Sequence, residues 1–295
     1  WTGTMNLTEP QSGSDLGTLT TRAEPDGEGR YRLYGQKIYI TWGDHDVADN
    51  IVHLVLARLP GAPEGVKGIS LFLAPKYLTA EDGTLGAAND VRPGGIEHKL
   101  GIHASPTCIM LFEGARAELV GQEGQGLAHM FTMMNAARLN VGMQGVGIAE
   151  RAYQGALAYA VERKQGRSAW TGEHPARIFD HPDVRRMLML MKARIEAARA
   201  ICLATGIAAD VAQLDIDPAL REAARLREEL FVPVAKAWST DVGVEVASMG
   251  VQIHGGMGIV QGFPVERFYR DAKLCEIGEG TSEVQRMVIA RHLLE

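Results

Sequence analysis

The apolar pattern of this chain changes period once, near residue 118, and that change limits the architectures open to it. Before it, apolar and β-branched residues come in short runs at 31–33, 37–41, 51–57, 68–73 and 108–112. A period of two is that of a strand with one buried face. Gly and Pro clusters such as Leu59-Pro60-Gly61-Ala62-Pro63 separate the runs. The stretch 81–95 reads as a long exposed loop. After the change, Leu139, Met143, Val146, Tyr153, Leu157 and Val161 recur at helical spacing. A second helix is expected from Asp180-His181-Pro182-Asp183, where Pro suits the first turn. A third covers about 218–253 with a break at Pro233. The last covers 283–294 and is entered through a capping pair, Ser282 and Gln285. This order predicts an α+β chain: a small antiparallel β-barrel-like domain over 1–118, then an antiparallel helical bundle over 119–295.

Composition narrows the function. With 295 residues and a net charge of −6, the chain has no basic excess of the kind that tracks phosphate backbones, so nucleic acid is not an expected partner. No apolar run approaches the ~20 residues of a membrane span. Cys108, Cys202 and Cys275 are isolated and odd in number, which reads as reduced core thiols in a cytoplasmic protein. The nine His residues form no HExxH or Cys/His cluster, so no metal site is expected.

Several segments carry candidate chemistry. Glu279 sits between Gly278 and Gly280, at a bend just before a helix. Small neighbours leave room beside its carboxylate, and a carboxylate in a tight apolar setting is a candidate general base with a raised pKa. Thr8, Gly13 and Ser14 lie in a polar Gly-containing segment that suits a flavin or phosphate, or is an ordinary surface turn. Strand alternation puts Tyr39 and Thr41 on one side, facing a flat ring or packing on the sheet. Gly121-Gln122-Glu123-Gly124-Gln125-Gly126 lacks the βαβ context of a dinucleotide fingerprint. Glu162-Arg163-Lys164 ends a helix, where the cations serve an anion or complement the helix dipole. Gln252-Ile253-His254-Gly255-Gly256 is either a C-cap or a close backbone approach to a cofactor. Gly142, Gly145 and Gly147 each cost a helix about 1 kcal/mol relative to Ala, which points to close helix packing or ligand contact.

Taken together the chain resembles the acyl-CoA dehydrogenase family. The matching segments are Leu7-Thr8-Glu9-Pro10 with Gly13-Ser14-Asp15, Gly35-Gln36-Lys37 with Ile40-Thr41, Lys99-Leu100-Gly101 with Ser105, and Gly121 with Glu123-Gly124 and Gly126. Glu162-Arg163-Lys164, Gln252-Ile253-His254-Gly255-Gly256, Arg270-Asp271-Ala272-Lys273 and Glu279-Gly280-Thr281-Ser282 follow in the family's order. Gly94-Gly95-Ile96-Glu97-His98-Lys99, Ala137-Arg138-Leu139 and His181-Pro182-Asp183-Val184-Arg185-Arg186 are similar to the 3-methylmercaptopropionyl-CoA dehydrogenase branch, while the segment around Glu279 looks like the short- and medium-chain branch. Tyr39 stands where the family usually has Trp, Gly278 where Tyr is common, and Gln165-Gly166-Arg167 replaces the usual Phe-Gly.

The resemblance implies FAD-dependent dehydrogenation of an acyl-CoA to trans-2-enoyl-CoA, as in fatty-acid β-oxidation. Glu279 would take the α-proton and flavin N5 the hydride. It places FAD against Thr8, Gly13, Ser14, Tyr39, Thr41 and Thr281, and a neighbouring subunit's FAD against Arg163, Gln252 and Gly256. Substrate contacts fall on Ser14, Ser105, Arg138 and Gly280. The implied partners are a second copy of the chain, in a dimer or tetramer, and an electron-transfer flavoprotein. The family's N-terminal helical domain has no counterpart here, so a truncated chain is expected. Two alternatives stay open: a flavin oxidase that passes electrons to oxygen, and a non-catalytic or partner-dependent fragment.

Overall fold

The computed structural model describes residues 1–294 as two compact units, 1–99 with 103–134, and 100–102 with 135–294. The first unit is a sheet of β1 (Thr2–Asn6), β2 (Arg22–Pro25), β3 (Arg30–Thr41), β4 (Ile51–Arg58), β5 (Ile69–Pro75), β8 (Val91–Ile96) and β9 (Thr107–Val120). A separate ribbon pairs β6 (Tyr77–Thr79) with β7 (Leu85–Ala88). In the order β4-β2-β3-β9-β5 the sheet closes on itself, because β5 pairs back to β4. The weak seam is β2–β4, a single parallel pair of Arg22 with Arg58. Apart from that seam and the parallel β1–β4 edge, the pairing is antiparallel. Ring closure leaves few open edges, and the enclosed face buries Leu33, Ile40, Val55, Phe72, Met110 and Phe112.

One expected loop is not a loop. Residues 81–95 contain β7 and most of β8. Pro93, Gly94 and Gly95 argue against a strand locally, yet β8 pairs only with β9 and is irregular between Pro93 and Gly95. An edge position tolerates a residue with no N–H to give.

The second unit is helical. Helix α1 (Gly126–Glu162) gives its first turns to the sheet unit and the remainder to this one. It is followed by α2 (Pro182–Leu214), α3 (Pro218–His254), α4 (Pro264–Ile277) and α5 (Ser282–Leu294). Their shared core holds Val146, Met191, Ile195, Val242 and Val246 with a row of alanines. Two expectations are corrected. Helix α3 runs unbroken through Pro233, because Val232, Pro233 and Ala235 are all buried and packing outweighs the lost backbone bond. The cap of α5 is Thr281, whose hydroxyl accepts from the Val284 amide at 3.3 Å. The Ser282 hydroxyl donates instead to Asp241 at 2.7 Å, and the Gln285 side chain donates to carbonyls of the preceding bend.

The glycines of α1 are explained in part by packing. A Cβ at Gly145 would lie 2.5 Å from the Ser239 carbonyl oxygen, and one at Gly142 2.9 Å from that of Ala235, whereas Gly147 faces open space. Gly145→Ala gains up to about 1 kcal/mol of helix propensity but forces two backbones apart at an overpacking cost of about 1–3 kcal/mol. A net loss of about 1 kcal/mol is expected from urea unfolding of the variant; a gain of the full helix propensity would show that α1 and α3 separate freely.

Candidate active site

In the helical unit, four of the predicted residues meet at the turn between α4 and α5. Helix α4 stops because Gly278 leaves the helical region, and Glu279 and Gly280 then take left-handed φ values of +58° and +92°. A left-handed Glu is uncommon and held only where its surroundings demand it. Gly280 has a second constraint, since a Cβ there would sit 2.7 Å from the Gln285 amide nitrogen.

The surroundings are cationic and buried. Arg138, on α1, is 8% exposed and donates through Nε to the Glu279 carbonyl at 3.2 Å. Lys236, on α3, is fully buried and donates through Nζ to the carbonyls of Gly280 at 2.6 Å and Glu276 at 3.0 Å. Gln285, also fully buried, donates to the carbonyls of Glu279 and Gly280, both at 3.3 Å. These bonds hold the main chain of the bend rather than the Glu279 acid. Burial pushes the Glu279 carboxyl above the ordinary carboxylate range, against the opposing charges of Arg138 and Lys236. A half-buried carboxyl with a pKa raised by burial, on a fixed backbone, is a stronger proton acceptor than a solvated one. Thr281 caps α5 beside it.

Arg163, Gln252 and Gly256 come together elsewhere in the same unit. They line a cavity of about 740 Å³ with Tyr159, His181 and His254. The His254 ring stacks on Tyr159 at 4.4 Å and its Nδ1 is hydrogen-bonded to the Gly250 carbonyl. Arg163 is exposed into this space. In the same unit two motifs distant in sequence touch: the Asp271 carboxylate accepts from the Ile102 amide at 2.6 Å, and Arg270 donates to the Leu100 carbonyl at 2.8 Å.

The sheet unit holds the other predicted residues. The Thr8 carbonyl accepts from the Ile38 amide, which ties the segment carrying Gly13 and Ser14 to β3. Gly13 and Ser14 are exposed. Tyr39 is 61% exposed with φ +60° and lies in a β-bulge between Lys37 and Ile40, so it leaves simple alternation before Thr41 ends the strand. The Ser105 carbonyl accepts from Lys99 at 2.6 Å. Beneath this segment lies a buried ion pair, Lys37 Nζ to Glu9 Oε1 at 2.8 Å.

Sequence reasoning missed Lys37, Lys236 and Gln285 as parts of these sites. One signal was available for Lys236: a lone cation inside the apolar run Val232-Pro233-Val234-Ala235-Lys236-Ala237.

Comparison with known proteins follows the same division. The family model described as "Acyl-CoA dehydrogenase, middle domain" matches residues 4–115, and "Acyl-CoA dehydrogenase, C-terminal domain" matches residues 124–294. The chain is 51% identical over 286 residues to 3-methylmercaptopropionyl-CoA dehydrogenase of Ruegeria pomeroyi, covering 97% of this chain and 48% of that protein. It is 39% identical over 298 residues to a butyryl-CoA dehydrogenase of Syntrophomonas wolfei, with the same two coverages. Among solved structures, butyryl-CoA dehydrogenase of Megasphaera elsdenii superposes with a TM-score of 0.77 at 30% identity, over 99% of this chain and 68% of that one. The chain thus spans about half the length of these curated relatives. Among the described residues, no helix is long and apolar enough to cross a membrane and no cluster of metal-ligating side chains occurs.

Proposed function

The chain belongs to the acyl-CoA dehydrogenase family, and on that premise we propose that it handles flavin and acyl-CoA in the α,β-dehydrogenation of an acyl-CoA thioester to trans-2-enoyl-CoA. The observation that carries this is the Glu279 bend. It joins a carboxyl with a raised pKa to a backbone held by Arg138, Lys236 and Gln285.

The residues present fit FAD. The cavity lined by Arg163, Gln252 and Gly256 offers a cation, an amide side chain and a glycine backbone open to close approach, with no Cβ contact at Gly256. Such a set suits a phosphate-bearing dinucleotide, here the FAD of a neighbouring copy of the chain. Thr8, Gly13, Ser14, Tyr39, Thr41 and Thr281 are the proposed contacts of the chain's own flavin. When bound, the flavin supplies the hydride acceptor.

The chain's own part begins with Glu279, which is ionised at the start and takes the proton from the α-carbon. Its raised pKa lessens the mismatch with that weakly acidic carbon. The Glu279 amide is the donor assigned to the thioester carbonyl, where enolate charge develops. Arg138 and Gly280 border the acyl group, and Ser14 and Ser105 the CoA. An electron-transfer flavoprotein is the proposed acceptor of the electrons that a bound flavin would take up, and the proposed setting is the cytoplasm, as a dimer or tetramer.

The test is a turnover screen on protein shown by absorbance to hold FAD, with an artificial electron acceptor. The panel includes 3-methylmercaptopropionyl-CoA and butyryl-CoA, named in two relatives, with longer and branched acyl-CoAs. Enoyl-CoA formation is expected. Peroxide made without an acceptor would mark an oxidase instead, and a colourless chain that gains flavin only with a partner would mark a non-catalytic subunit. Arg163→Ala removes a charged hydrogen-bond donor worth about 1.5–3 kcal/mol. FAD retention through dialysis should fall by about 10–100-fold; an unchanged yellow holoprotein would remove Arg163 from the cofactor site.

A further inference from the structure

We propose that Lys236 is a positioning residue for the reaction: from α3 its ammonium grips the carbonyls of Glu276 and Gly280 on either side of Glu279, and so fixes both the path and the electrostatic setting of the base. This rests on Glu279 being the base.

The geometry is specific to the bend. Lys236 is fully buried, yet both of its bonds go to main-chain oxygens 40 and 44 residues away. One belongs to the last turn of α4, whose carbonyl end carries partial negative charge that favours a cation. The other belongs to Gly280, at φ +92°. Released from these bonds, neither Glu279 nor Gly280 has a local reason to stay left-handed. A core with no such task is served as well by an apolar side chain, because burying an ammonium carries a desolvation penalty that two carbonyls only partly offset. Burial indeed lowers the Lys236 ammonium to about 8.

The charged and titratable groups around the two residues can be named. Lys236 faces Cys275, Asp241, Glu279 and Arg138, and Glu279 faces Arg138 and Lys236. Burial pushes the Cys275 thiol up to about 11, so it is neutral at working pH. Asp241 is engaged by Ser282 and Arg286. Glu279 is therefore the acid left to respond to the Lys236 charge. A positive neighbour favours the ionised carboxylate, so removing it raises the Glu279 pKa. Because the base works only when ionised, the acidic limb of the rate profile moves to higher pH.

The experiment uses the FAD-loaded protein and three variants, Lys236→Met, Lys236→Arg and Glu279→Gln. Lys236→Met keeps the side-chain length without charge or donors. It should retain flavin, lose about tenfold or more in kcat with KM little changed, and show the acidic limb shifted to higher pH. Lys236→Arg should return the limb to the wild-type position, which a residue that merely fills the core would not do. If Lys236→Met fails to hold flavin or to fold, Lys236→Gln, an uncharged side chain one atom shorter that keeps N–H donors, takes its place with the same expected shift. A wild-type kcat and limb in Lys236→Met, or collapse of both uncharged variants, overturns the proposal. Glu279→Gln separates the two levels: if it alone abolishes turnover, the base assignment stands and only the Lys236 inference falls; if it turns over normally, both fall.

Discussion

Glu279→Gln is expected to lower the proposed acyl-CoA turnover by roughly 10²–10⁴-fold, the scale of a positioned general base, with FAD retained. The substitution is nearly isosteric and replaces a basic carboxylate with an amide that cannot accept the α-proton. It leaves the bend intact, because Arg138 and Gln285 bond to the main-chain carbonyl of Glu279 and Lys236 to that of Gly280. Steady-state kcat with an artificial acceptor measures the loss, and the flavin spectrum checks the cofactor. Near-normal turnover would refute the assignment. The wild-type protein adds a pH signature. Burial raises the Glu279 carboxyl above its ordinary value, so the rate should rise with pH through a limb above the usual carboxylate range. A limb at or below that range would mean that the base is solvated.

Glu9→Gln should destabilise the sheet unit by about 3–5 kcal/mol, the usual consequence of stranding a buried charge. The Lys37 side chain is 0% exposed and that of Glu9 2%. The Glu9 carboxylate also accepts from the Thr20 amide at 2.7 Å, the Thr20 hydroxyl at 2.9 Å and the Thr21 amide at 3.0 Å. Lys37 donates further to the Leu7 carbonyl at 2.9 Å. The pair therefore clamps the segment carrying Thr8, Gly13 and Ser14 onto the strand that ends in Tyr39 and Thr41. Removing both charges in Glu9→Gln/Lys37→Met should recover much of the loss, because no lone ammonium remains. Urea unfolding at neutral pH provides the measurement; a change under ~1 kcal/mol in the single variant would show that water reaches Lys37.

Acid gives the same result by titration. Burial alone would raise the Glu9 carboxyl, but Lys37 and the Thr donors hold it at about 2, below its ordinary 4.5. A depressed carboxylate contributes stability that is fully present above the unfolded value and lost as pH falls through the folded one. The loss should therefore fall between about pH 4.5 and 2, and be absent from Glu9→Gln.

Much of the architecture was legible residue by residue. The switch of apolar period near residue 118 separates strand from helix because each repeat reports its own geometry within a few residues. The glycines around Glu279 marked a bend, and the family resemblance at Glu279-Gly280-Thr281 is what proposes the base. Errors arose where local preference was outvoted. Pro93 and the glycines beside it read as loop but lie in an edge strand. Pro233 read as a break but lies inside α3. Ser282 read as a cap, yet its hydroxyl reaches Asp241, 41 residues away.

By itself the sequence determined the period of each segment, the order of sheet and bundle, and the position of the acid at a glycine-flanked bend, since all of these arise from neighbours along the chain. Only the tertiary structure decided that Lys37 and Lys236 lie buried, which oxygens they hold, and that Arg163 shares a cavity with Gln252 and Gly256. A buried cation must find its acceptors wherever packing brings them, here 28 to 44 residues away, and no local pattern encodes that meeting.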